Sequence, residues 1–146
     1  MKNLLKKLYH SDFVLKIYAR ITNFFSSNSL RIIFGGGVNA TALLRKLKMK
    51  NKGKNNFTQI GVRCRIINCN VQFYGNNNKI IIDNDCYLKN VTFWVEDNNN
   101  IVHVKKHTYI CGKTELACIE GSAIEIGEDC LFSSNIVFRK IGRAHV

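Results

Sequence analysis

The sequence predicts an all-β solenoid, a parallel β-helix of about four 22-residue coils over residues 57–139, preceded by a basic α-helical segment. Three observations predict it. An aliphatic position returns every 22 residues, further columns keep the same step, and a cluster of Asn, Asp and Gly returns once per repeat.

The index column is Ile60, Ile82, Val104 and Ile126. Two residues earlier stand Thr58, Ile80, Val102 and Ile124; four residues later, Cys64, Cys86, Thr108 and Cys130; six residues later, Ile66, Leu88, Ile110 and Phe132. Within a repeat, Ile80, Ile82, Leu88, Val91, Phe93 and Val95 suit short extended segments, and no helix holds that register. Gly75-Asn76-Asn77-Asn78, Glu96-Asp97-Asn98-Asn99-Asn100 and Glu120-Gly121-Ser122 are the expected corners, because Asn, Asp and Gly tolerate the left-handed backbone of a sharp turn. One coil of short strands cannot bury its apolar face, whereas stacked coils form continuous internal ladders.

The six cysteines invite a disulfide or zinc reading, but no Cys-x-x-Cys pair occurs to bring two thiolates to one ion. The recurring Cys64, Cys86 and Cys130 are read as core, since small, easily buried side chains suit an inward position beside a corner. No metal is expected, and the thiols are expected to be reduced.

In residues 1–25 the apolar side chains Leu4, Leu5, Leu8, Phe13, Val14, Ile17, Tyr18, Ile21, Phe24 and Phe25 approach helical spacing, with Lys2, Lys6, Lys16 and Arg20 mostly off the stripe. A basic amphipathic helix is expected there, ending at Ser26-Ser27-Asn28-Ser29. A short second helix is expected over about residues 40–49, and residues 50–56 read as a solvated linker. Charges at Lys6, Lys7, Asp12, Lys16 and Arg20 interrupt any signal-peptide core or transmembrane run. The helix has two readings: it lies on the inner membrane surface, lysines toward anionic lipid, or it caps the first coil.

The net charge of +12 is unevenly placed: residues 1–56 carry +11 and residues 57–146 carry +1. The repeats carry no basic stripe and the basic segment has no recognisable binding motif, so nucleic acid is not an expected partner.

An aliphatic residue, often Gly next, and a small residue four positions after the first resemble the hexapeptide-repeat acyltransferases. The stretch from Ile82 through Phe93-Trp94, continued by Glu120-Gly121-Ser122 to Phe138-Arg139, is similar to the sugar O-acetyltransferases of bacterial capsule and exopolysaccharide clusters. The resemblance covers roughly residues 55–139. It implies a left-handed helix whose 18-residue coil carries a four-residue corner insertion. It also implies acetyl transfer from acetyl-CoA to a sugar hydroxyl, without a metal, in sites shared within a homotrimer. The acceptor would be a sugar or lipid-linked saccharide, and the setting cytoplasmic, at or near the inner face of the membrane. The non-catalytic alternative is a structural β-helix scaffold.

In that family a neutral His is the general base, suited by a pKa near working pH. It lies a few residues beyond the position of Phe138-Arg139, in a Thr-Gly-Asp-Ser-His run that this chain does not contain. No catalytic residue is therefore assigned. Ser133, Ser134 and Asn135 match the family's Ser-Ser-Asn segment before the catalytic loop and are placed near the acceptor, with core and corner roles as the alternative. Glu115 stands where some relatives have His; it is either a carboxylate base or an outward strand residue. His10, His103 and His107 are read as surface or turn residues, since an i, i+4 spacing does not bring two side chains together in extended structure. The last residues, Ile141-Gly142-Arg143-Ala144-His145-Val146, match the translation of a common short-read sequencing adapter. Residues 140–146 are accordingly expected to be read-through at the end of a truncated gene fragment, which leaves His145 no catalytic standing.

Overall fold

The computed structural model describes residues 16–17 and 41–142. The expected N-terminal helix lies outside the described residues except for Lys16 and Ile17, which are helical and exposed.

Among the described residues, twelve strands wind as a parallel β-solenoid of about four turns. The first turn holds β1 (Leu43–Arg45), β2 (Lys48–Asn51) and β3 (Phe57–Ile60), and the second β4 (Arg65–Ile67), β5 (Asn70–Tyr74) and β6 (Lys79–Ile82). The third holds β7 (Tyr87–Glu96) and β8 (Ile101–Val104), and the fourth β9 (Tyr109–Ile119) and β10 (Ala123–Ile126); β11 (Leu131–Phe132) and β12 (Ile136–Ile141) follow. All pairings among the described residues are parallel, and outside one register slip in β9 each residue pairs with the one 22 positions on, such as Ile60 with Ile82 and Ile82 with Val104. In the third and fourth turns one strand bends through a corner, so β7 and β9 each serve two sides.

Each turn has three corners, and each corner has a residue with positive φ. One column is Arg63, Asp85, His107 and Asp129; a second is Lys46, Asn68 and Asn90; a third is Asn55, Asn77, Asn99 and Gly121. Asn and Asp dominate because their short polar side chains offset the steric cost of this backbone region.

Inside, Ile80, Ile82, Leu88 and Phe93 are fully buried, as the repeats predict, and Phe73 and Leu116 are buried with them. The Cys column is core, and it has a second duty. Cys64 Sγ donates to Asp83 O at 2.9 Å, Cys86 Sγ to Lys105 O at 3.2 Å and Thr108 Oγ1 to Gly127 O at 2.8 Å. Each small side chain thus satisfies a corner carbonyl of the next coil, which explains why Cys and Thr interchange in one column. Hydrogen bonding with the Cys86 thiol, then burial, raises the pKa of Cys64; burial pushes Cys69 up to about 11. Both stay protonated and inert near neutrality.

The Asn-rich corners form a second ladder. The backbone N–H of Asn78 donates to Asn56 Oδ1, that of Asn100 to Asn78 Oδ1 and that of Ser122 to Asn100 Oδ1, each at 2.9 Å. The same side chains donate back to corner carbonyls, Asn56 Nδ2 to Gly75 O at 2.7 Å and Asn78 Nδ2 to Asp97 O at 2.9 Å. Asn56, Asn78 and Asn100 are buried, so these bonds replace water that cannot reach them.

The solenoid begins earlier than Phe57. The helix expected over residues 40–49 is instead β1 and β2, and the expected linker 50–56 is the end of β2 and the first Asn corner. The physical reason is register: Ala42, Leu44, Leu47 and Met49 stand 22 residues before Cys64, Ile66, Cys69 and Val71 and join the same core. At the other end, Lys140 and Ile141 pair with Cys118 and Ile119 in β12.

Candidate functional site

The sequence-predicted positions converge on the last described turn. Ser133, Ser134 and Asn135 form the corner between β11 and β12 and are exposed. Asn135 has φ of 63° and donates its N–H to Lys113 O at 2.8 Å. Beneath this corner the 22-residue register slips. Lys89 pairs with Cys111, but Val91 pairs with Thr114, so one extra residue enters at Gly112. Gly112 has φ of 115°, and a Cβ there would meet Ser134 Cβ at 2.6 Å. Glycine alone satisfies both conditions, and it lets the Ser-Ser-Asn corner sit close on the coil below.

Glu115 is half-buried on the outer side of its strand. It lies in β9, and Val137, two residues beyond the Ser-Ser-Asn corner, stacks directly on it. Arg139 holds it: Nη2 and Nε reach Glu115 Oε1 at 3.0 and 3.2 Å. One carboxylate oxygen is thereby oriented, and the other carries no recorded partner among the described residues.

His103 and His107 do not form a pair. His103 Nε2 lies 3.0 Å from Asp83 Oδ2, while His107 sits between Asp85 and Asp129 at 3.7 and 3.4 Å. His10 and His145 lie outside the described residues. Among the described residues, no three His, Cys, Asp or Glu side chains converge as metal ligands.

Sequence reading missed the outer face on which Glu115 and Arg139 lie. Lys50, Gln72, Trp94, Ala117 and Arg139 form one outward column, and Lys48, Asn70, Thr92, Glu115 and Val137 the next. Tyr74 and Trp94 stack with centroids 4.7 Å apart. The Tyr74 hydroxyl donates to Gln72 Oε1 at 2.7 Å, and Trp94 Nε1 donates to Glu96 Oε2 at 3.0 Å. Counting 22 residues back from Trp94 would have found the column, but only with β2 already placed in the solenoid.

This architecture is that of a parallel β-solenoid with hexapeptide-repeat-like coils and a half-exposed aromatic and charged outer face. The resemblance to the hexapeptide-repeat acyltransferases holds on comparison with known proteins. The chain is 26% identical over 102 residues to the polysialic acid O-acetyltransferase of Neisseria meningitidis, a match covering 70% of this chain and 46% of that relative. Among solved structures it is similar to the polySia-specific acetyltransferase NeuO, with a TM-score of 0.48 and 24% identity over 63% of this chain and 51% of that one. No family model matches. The chain spans about half the length of the relatives it matches.

Proposed function

We propose that this chain is part of an O-acetyltransferase that moves an acetyl group from acetyl-CoA to a hydroxyl of a surface polysaccharide or its lipid-linked precursor. The observation that carries this reading is the 102-residue similarity to a polysialic acid O-acetyltransferase, in a chain whose 22-residue coils build a parallel solenoid. On this reading the helix is left-handed, the whole protein is a homotrimer, and Ser133, Ser134 and Asn135 border the acceptor. The basic segment 1–25 contacts the inner face of the cytoplasmic membrane, where precursor sugars are assembled.

The chemistry needs a neutral imidazole to take the acceptor hydroxyl proton as the oxygen attacks the thioester carbonyl. The C–O bond forms, the C–S bond breaks, and the departing thiolate takes the proton from the imidazolium. The coil following Arg139 would supply that base. Glu115 is held by Arg139 and serves to shape the acceptor surface.

The test is to sequence the source locus beyond the Arg139 codon and to assay the whole product with labelled acetyl-CoA and polysaccharide. Label entering the glycan as a base-labile ester, with no such transfer by the 146-residue chain, supports the proposal. A reading frame that ends near Arg139, or a longer product that releases no CoA in the presence of any glycan, overturns it in favour of the scaffold reading.

A further inference from the structure

The basic stretch that reads as a linker in the sequence is part of the first coil, and this changes what it can do. Lys46, Lys48, Lys50, Lys52 and Lys54 alternate along one side of that coil, all exposed, while Leu47, Met49 and Asn51 turn inward or are half-covered. Lys48 and Lys50 lie in β2, and Lys46 and Lys54 stand at the corners on either side of it. Among the described residues none of the five has a carboxylate within ion-pair distance. The next two coils place Tyr74 and Trp94 beside them, with Lys50 Nζ 5.4 Å and Lys52 Nζ 5.5 Å from the Tyr74 centroid. Gln72 and Glu96 hold the aromatic polar tips and line the rim.

From this juxtaposition we propose that the face formed by Lys50, Lys52, Gln72, Tyr74 and Trp94 binds a carboxylate-bearing saccharide chain, the acceptor glycan. The inference rests on the O-acetyltransferase reading and names its substrate class. A pyranose ring offers an apolar C–H face, which an indole or phenol ring covers, and a rim of hydroxyls, which amide and carboxylate groups bind. Repeated carboxylates are matched by lysines repeated at alternate positions of the first coil, and their attraction is long-ranged and screened by salt. Lysines on the outermost strand of a sheet also deter edge-to-edge pairing. That role needs only charge of either sign, whereas binding an acidic glycan needs positive charge, so charge reversal separates the two.

The full 146-residue chain can be titrated calorimetrically with sialic acid oligomers, neutral dextran of equal length, duplex DNA and phosphatidylglycerol vesicles. Trp94 is the single tryptophan, so its fluorescence reports occupancy independently. Expected are saturable binding of the sialic acid oligomers with a change in Trp94 emission, weakening as salt rises, and little binding of dextran. The double substitution Lys50→Glu with Lys52→Glu should weaken that binding by about tenfold or more with an unchanged circular dichroism spectrum. Tyr74→Leu should weaken it while preserving its salt dependence.

Binding unchanged by the charge reversal, or DNA or vesicle binding that is as tight and is weakened as much by the same charge reversal, overturns the inference. So does acetyl transfer by the whole protein to a neutral glycan without any sialic acid oligomer binding, and that result leaves the proposed function standing. The converse result, salt-sensitive oligomer binding by a whole protein that transfers no acetyl group, removes the proposed function and leaves the binding face.

Discussion

The interior and the outer face of the same coils obey different rules. Inside, position n and position n+22 carry nearly the same chemistry: Ile60, Ile82, Val104 and Ile126 in one ladder, Ala42, Cys64, Cys86 and Thr108 in another. Outside, one column reads Lys50, Gln72, Trp94, Ala117 and Arg139, with no two residues alike. A stacked core requires sameness, because each side chain packs on its counterpart above and below. An outer face is free of that requirement, so its composition can answer to a ligand.

Breaking the interior should cost most. Phe93 is fully buried between Phe73 and Leu116 in register. Phe93→Ala should lower stability by about 3–5 kcal/mol in denaturant unfolding, through lost burial and the cavity left behind. The Asn ladder comes next. Asn78→Ala deprives the buried Asn100 N–H and the Asp97 carbonyl of partners and should cost about 2–4 kcal/mol by the same measurement.

Two interior residues, Thr58 and Thr114, break the sameness, and the first offers a gain. Thr58 begins the ladder of Ile80, Val102 and Ile124, yet its buried hydroxyl has no hydrogen-bond partner. Thr58→Val keeps the shape and removes the unsatisfied oxygen, so it should raise stability by about 1 kcal/mol.

Exterior ion pairs should matter least. The Arg63 guanidinium donates to Asp85 at 2.6 and 2.8 Å and holds that carboxyl below its ordinary 3.8. A depressed carboxyl pKa stabilises the fold at pH values above 3.8, and the contribution fades as pH falls through the lower folded-state value. Arg63→Ala should therefore cost about 1 kcal/mol or less at neutral pH, and the difference from the unsubstituted chain should shrink in strong acid.

The fold was legible because the core ladders repeat similar residues at a fixed step of 22. The boundary at Phe57 was misplaced because the first coil carries lysines where later coils carry Gln, Tyr and Trp outside, and Leu43-Leu44 followed by alternating Lys mimics a basic helix edge. The inward set alone, Ala42, Leu44, Leu47 and Met49, shows the true register. The corner insertion was partly legible too: Val71, Phe93, Leu116 and Phe138 step by 22, 23 and 22 residues, which marks the slip at Gly112. Ser133, Ser134, Asn135 and Glu115 were singled out by resemblance, whereas the aromatic and lysine face was not read at all. Outward positions repeat no residue type, so only the three-dimensional register brings them together.

The claim that one solenoid separates a repeated core from a variable binding face is tested most directly by measuring two quantities on one panel: the thermal midpoint and the Kd for sialic acid oligomers. Thr58→Val should raise the midpoint and leave Kd unchanged, while the Lys50→Glu, Lys52→Glu pair should raise Kd and leave the midpoint within a degree or two. A charge reversal that unfolds the coil, or an interior substitution that shifts Kd as much as the midpoint, would contradict the separation.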